Sequence, residues 1–192
     1  MTRKKIVAVA TAVVVVAGMV VVYLTQVRQP LTSVFAEAKV YTYTAPDSRD
    51  LIQNGYTQAR QGLATDIQLL SDADFDFADP TDYADAQVYF TLKNTTLFPI
   101  TNIEFFVTDL GGVEGRFLYK QDAPLPVDVR PGETTTARLD LAMYVNGLSD
   151  VDIADLVKRV RVELQFSQAL LGGRHLPIEV PPDLAFAQHI NG

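Results

Sequence analysis

From Arg159 to Phe166 every second residue is apolar: Val160, Val162, Leu164 and Phe166 alternate with Arg159, Arg161, Glu163 and Gln165. The same period carries Val88, Phe90 and Leu92 between Gln87, Tyr89, Thr91 and Lys93. It returns at Ile103, Phe105 and Val107, and at Ala137, Leu139 and Leu141. A backbone that turns successive side chains to opposite faces can bury one set and wet the other when it forms antiparallel strands over a core. Ile67 and Leu69, then Ala73, Phe75 and Phe77, extend the pattern toward the N-terminus. Turn chemistry separates these runs at Asn94-Thr95-Thr96, Gly111-Gly112, Arg130-Pro131-Gly132-Glu133 and Gly172-Gly173. Many short strands at regular spacing predict a mainly β chain folded as an antiparallel β-sandwich over residues 64–180.

One short helix interrupts the strands. Ser149 precedes Asp150-Val151-Asp152-Ile153, so its hydroxyl can cap the helix while Asp152 reaches back in a capping-box arrangement. Asp150, Asp152 and Asp155 suit the positive end of the helix dipole, and Lys158 and Arg159 the negative end. Ile153, Leu156 and Val157 form the apolar stripe expected to close an end of the sandwich. Residues 25–63 read as a stalk with a strand at Val40–Thr44 and a short helix capped by Ser48 and running through Gln53, with an extension to Arg60 left open because Asn54-Gly55 interrupts the pattern. Pro181-Pro182 opens a loosely held tail, residues 181–192.

Ahead of the stalk, Ile6 to Leu24 runs nineteen residues without a charge. As a helix it would rise roughly 28 Å, close to the thickness of a bilayer's hydrocarbon core. Tyr23 suits an interface, and Arg3, Lys4 and Lys5 crowd one flank. Residues 6–24 are therefore expected to form a transmembrane helix in contact with the lipid bilayer, a signal-anchor of a single-pass membrane protein. Residues 1–5 would be cytoplasmic and the sandwich extracellular or periplasmic. A cleaved signal peptide is the rival, but Ala36-Glu37-Ala38 lies far beyond the apolar run.

Charge and residue types exclude several functions. With Arg3, Lys4 and Lys5 set aside, 13 of the 16 basic residues face 23 acidic ones. A surface so acidic repels phosphate backbones, so no nucleic-acid partner is expected. Cysteine is absent, which removes disulfides, thiol catalysis and thiolate-bound metals. Asp72, Asp74, Asp76, Asp79, Asp82 and Asp85 crowd one stretch. A calcium loop would need glycine where Phe77 stands and glutamate where Tyr83 stands. Alternation instead sets Asp72, Asp74 and Asp76 toward water as armour on an edge strand, with Phe75 and Phe77 toward the core. His175 and His189 are too far apart in sequence to suggest a metal pair, and no nucleophile motif is present. No catalytic residue, metal ligand or cofactor is expected. Asn94-Thr95-Thr96 matches the N-glycosylation acceptor, making Asn94 a candidate modification site, although asparagine in a turn also has a backbone role.

A wider pattern joins these pieces. The strand Val88–Asn94 leads through Pro99-Ile100 to a second strand from Ile103, and Pro131-Gly132 leads into Thr134–Leu141. The helix, the Val160–Phe166 strand and Leu176-Pro177-Ile178 follow. In this order the chain resembles the group 2 late embryogenesis abundant proteins and their water-stress and hypersensitive-response (WHy) domain, over residues 64–180. Asn94-Thr95-Thr96 stands where that family has Asn-Pro-Asn. The resemblance implies an immunoglobulin/fibronectin type III-like sandwich, often hung from one N-terminal helix, with a structural or protective role and no catalytic residues. The expected function is thus a non-enzymatic, membrane-tethered domain acting at the cell envelope. One alternative is a subunit of an envelope complex or surface filament that meets a protein partner through exposed strand edges. A hydrolase would require a pocket of converging polar groups.

Overall fold

The computed structural model describes residues 3–23, 31–43, 48–122, 128–168, 172–179 and 185–186, of which 3–9, 32–37, 175–179 and 185–186 by backbone alone. Two sheets carry the fold. The larger contains β1 (Leu31–Thr42), β2 (Ile67–Leu69), β3 (Tyr83–Asn94), β5 (Phe117–Asp122), β7 (Thr134–Tyr144) and β10 (Ala185–Phe186). Its order is β10-β1-β3-β7-β5-β2. The smaller contains β4 (Ile100–Asp109), β6 (Asp128–Val129), β8 (Arg161–Gln168) and β9 (Gly172–Glu179), in the order β6-β4-β8-β9. Neighbouring strands run antiparallel, except that β10 lies parallel to β1. Three α-helices are present among the described residues: α1 (Arg3–Val22), α2 (Ser48–Gln61) and α3 (Asp150–Arg159).

The period-2 runs become the facing surfaces of the two sheets. Val88, Phe90 and Leu92 of β3, with Leu139 and Leu141 of β7, are fully buried against Phe105 of β4 and Leu164 of β8. The rings of Phe90 and Phe105 meet with centroids 5.1 Å apart. The intervening Gln87, Tyr89 and Thr91 remain half-buried on the other face. α3 forms where the capping residues predict it. The Ser149 hydroxyl accepts from the Asp152 amide, and the Asp152 carboxylate accepts from the Ser149 amide at 3.0 Å. Ile153, Leu156 and Val157 then join the core between the sheets.

The segment read as a stalk is, where described, part of the sandwich. β1 pairs with β3 from Leu31↔Asn94 to Thr42↔Ala84, with a bulge after Phe35. α2 continues through Asn54-Gly55 to Gln61. A glycine inside a helix costs about 1 kcal/mol relative to alanine. Tertiary packing offsets that cost: Ile52, Tyr56 and Ala59 form one buried stripe against the outer face of the large sheet. A sandwich with one short helix is therefore incomplete, because a second helix forms a partial third layer.

The aspartate-rich stretch also differs from its expected form. Asp72, Asp74 and Asp76 are exposed and Ala73, Phe75 and Phe77 partly buried, as the alternation predicts, yet residues 70–76 join no sheet. They form an extended strap whose aromatic rings join the α2 layer. Phe75 stands edge-on to Tyr56 at 5.4 Å, and Phe77 stacks on Tyr83 at 5.2 Å. The hydroxyls of Tyr56 and Tyr83 donate to the carbonyls of Ala73 and Asp76, at 2.7 and 2.8 Å. Side-chain donors here replace the ladder that a strand would have supplied.

At the N-terminus α1 covers most of the expected anchor, while Leu24 lies outside the described residues. Its residues are exposed from Ala10 onward. Among the described residues, no helix is long and apolar enough to cross a membrane. Of the tail, residues 185–186 pair with β1, and His189 lies outside the described residues.

Candidate functional site

The outer face of the large sheet carries polar side chains, because the inward positions are taken by the core. Register sets Gln87 beside Asp140, Tyr89 beside Arg138, and Asp85 beside Ala142. On the far side of β7, β5 places Gln121 beside Asp140 and Tyr119 beside Ala142. α2 lies over one end of this array. Gly55 permits the approach, since a Cβ there would stand 2.6 Å from Cζ of Tyr119. A cleft of about 340 Å³ remains beneath the helix. Its roof is Leu51, Asn54, Gly55 and Gln58, and its floor includes Tyr43, Asp85, Gln87, Tyr119 and Asp140.

The two floor carboxylates have different partners. Arg138 grips Asp140 from one side, with Nη2 donating to Oδ2 at 2.9 Å and Nε 2.8 Å from Oδ1. Asp85, only 9% exposed, accepts from Gln87 Nε2 at 3.4 Å. The Oε1 of that same amide accepts from the Tyr89 hydroxyl at 2.8 Å. Burial, followed by the charge of Asp140, pushes the Asp85 carboxyl up to about 7, against smaller opposing effects of Gln87 and Arg138. Burial raises Asp140 as well, despite Arg138. The Tyr43 and Tyr119 hydroxyls are pushed up by burial and then by Asp85, so both keep their protons throughout the physiological range. Near neutrality the cleft thus holds one exchangeable proton on Asp85 beside a fixed ion pair.

This arrangement has a stability consequence. A carboxyl raised on folding contributes stability that is fully present below its unfolded value near 3.9 and is lost as pH rises through about 7. Asp85→Asn is therefore expected to be more stable than the parent above pH 7, by about 2–4 kcal/mol. The gain should fade by pH 4. Urea unfolding at pH 4 and pH 8 checks this, and an equal effect at both pH values would contradict it.

The residues singled out by sequence do not converge on this cleft. Asp85 leaves the exposed aspartate group altogether. Asp72, Asp74, Asp76 and Asp79 stay at the surface. Among the described residues, no group of three or more carboxylate or imidazole side chains is placed to hold a metal ion. Asn94 is corrected as a glycosylation site: it is fully buried. Its Nδ2 donates to the carbonyls of Phe98 and Val129, both at 2.8 Å. Its Oδ1 accepts from the amide and hydroxyl of Thr96. A glycan on Nδ2 would break the junction of β3, β4 and β6 that this side chain holds, so the asparagine's turn role prevails. Asp140 went unremarked in the sequence because it sits at an outward strand position, where charge is ordinary. Nothing in that alternation shows that a helix covers the face.

No family model matches the chain, and no curated protein matches it. Among solved structures, the crystal structure of a yeast GGA1 GAE domain is similar at 9% identity and a TM-score of 0.34. The similarity covers 62% of this chain and 94% of that one, and at this TM-score it carries no argument.

Proposed function

We propose that the chain is a non-enzymatic, membrane-tethered domain of immunoglobulin/fibronectin type III-like kind that works by contact outside the cytoplasm. The observation that carries this reading is the nineteen-residue uncharged run from Ile6 to Leu24, directly after Arg3, Lys4 and Lys5. α1 takes in Arg3, Lys4 and Lys5 at its start and is uncharged from Ile6 to Val22. Val13, Val14, Val16, Met19 and Val20 are half or more exposed, so α1 does not bury these apolar side chains in the sandwich. A helix apolar on all its faces suits lipid better than water. The likeness to the WHy domain supports the same role. Protease added to intact cells, or to spheroplasts where an outer membrane intervenes, is expected to remove the mass beyond about residue 30 and spare the anchor. Full protection of the sandwich would overturn the topology.

A second reading, a subunit joined through strand edges, is favoured at one place. β9 ends the smaller sheet, with β8 as its neighbour on one side. The opposite edge is closed beyond β6, which pairs only with Ile100 and Thr101 of β4. There Gln68 accepts from the Val107 amide at 3.3 Å and donates to the Val107 carbonyl at 3.4 Å. Asp122 accepts from the Phe105 amide at 3.3 Å.

A further inference from the structure

We propose that the cleft beneath α2 binds an organic ammonium group, with Asp85 as its counter-charge. The inference rests on reading the sandwich as a binding domain, and it does not depend on the anchor.

Charge defines the ligand class. The roof of the cleft is uncharged: Leu51, Asn54, Gly55 and Gln58. On the floor the guanidinium of Arg138 is engaged by both oxygens of Asp140. Asp85 is left with a single long hydrogen bond among the described residues, although it is nine-tenths buried and lines the cleft. An ionised carboxylate so placed lacks the donors that water would supply. An anion would be repelled by Asp85 and Asp140, and calcium would require a larger set of oxygen ligands. A primary ammonium offers three donors on one compact charge. It can meet Asp85 and the amide oxygens nearby while its alkyl stem lies against Leu51 and the tyrosine rings. The volume of about 340 Å³ falls within the range of small-ligand pockets.

Binding should be linked to protons. The ammonium selects ionised Asp85, which is about half populated at pH 7 because burial and Asp140 raise its carboxyl to about 7. Asp140 and Arg138 on β7 are the other charged groups facing it, while Tyr43 and Tyr119 stay neutral. Ligand should therefore displace a fraction of a proton at pH 7, and affinity should fall at least tenfold by pH 5.

Calorimetric titration of the full chain in detergent micelles with butylammonium chloride tests this. Sodium chloride at matched ionic strength and butanol serve as controls, and two buffers of different ionisation heat report the proton. Saturable binding with proton release is expected, weakened at pH 5, absent in Asp85→Asn and kept in the surface variant Asp74→Asn. Because Asp85→Asn should melt higher than the parent at pH 8, its loss of binding could not be ascribed to unfolding. Absence of saturable binding, equal binding of butanol, or retention in Asp85→Asn would each overturn the proposal. Protease shaving of cells would be unchanged by any of these results, so the tether stands or falls separately.

Discussion

Lys120→Ala is expected to destabilise the sandwich by about 3–5 kcal/mol at pH 7, through the charge it leaves behind. Lys120 and Asp122 lie two apart on β5, with Nζ and Oδ2 2.8 Å apart and side chains only 5% and 9% exposed. Their register partners on β7 are the core residues Leu141 and Leu139. Both side chains therefore point into the seam between the sheets. The Lys120 ammonium also lies 5.5 Å from the centroid of the Phe106 ring. Burial raises the Asp122 carboxyl, and the hydrogen bond and charge of Lys120 are the largest effects opposing it. Without the lysine, Asp122 must stay ionised in an apolar seam or take up a proton. Its folded carboxyl, already raised, would then stand still further above the unfolded value, so stability would be retained at low pH and lost as pH rises. The deficit of Lys120→Ala should accordingly shrink toward pH 4. In Lys120→Met/Asp122→Leu no buried charge remains, and much of the stability should return. The Phe105 amide, deprived of its acceptor, would still carry a cost of about 1–3 kcal/mol. Urea unfolding of the two variants at pH 4 and 7 checks the expectation. A single variant as stable as the parent at pH 7 would show that water reaches the pair.

Phe90→Ala is expected to cost about 3–5 kcal/mol, and Leu164→Ala about 2–5 kcal/mol. Phe90 sits in the middle of β3, fully buried, paired in register with Ala137 and in ring contact with Phe105. Leu164 is paired with Phe105 across β4 and β8 and is also fully buried. Truncating either removes apolar contact and leaves a void that two hydrogen-bonded sheets cannot readily collapse to fill. Tyr89→Ala and Gln165→Ala, one residue away and half-buried, should cost much less. Thermal melting separates the pairs, and equal losses would mean that the alternation is assigned to the wrong faces.

Strand alternation made the sandwich legible because the inward and outward faces of β3, β7 and β8 differ sharply in chemistry. The capping box of α3 was legible for a related reason: Ser149 and Asp152 interact locally, at a spacing that depends on nothing distant. The α2 layer was not legible. Its stripe of Ile52, Tyr56 and Ala59 is short and broken by Asn54-Gly55, and the space that makes Gly55 acceptable belongs to Tyr119, far along the chain. The cleft was hidden for the same reason, since Asp85 and Asp140 meet only through the β3–β7 register. Asn94 shows the reverse error: a local triplet suggested a surface role, while long-range bonds to Val129 place it inside.

The contact of Gln68 with Val107 of β4 has a consequence for crowding. On the proposed tether, copies would be held at one height above a membrane and meet side by side, at local concentrations far above those in solution, so a bare strand rim could recruit the next copy and propagate. By occupying both backbone groups of Val107, the Gln68 amide imitates a neighbouring strand without offering a further rim. Sideways stacking of copies would therefore be blunted at Val107 by an uncharged side chain, whose effect does not weaken as salt concentration rises.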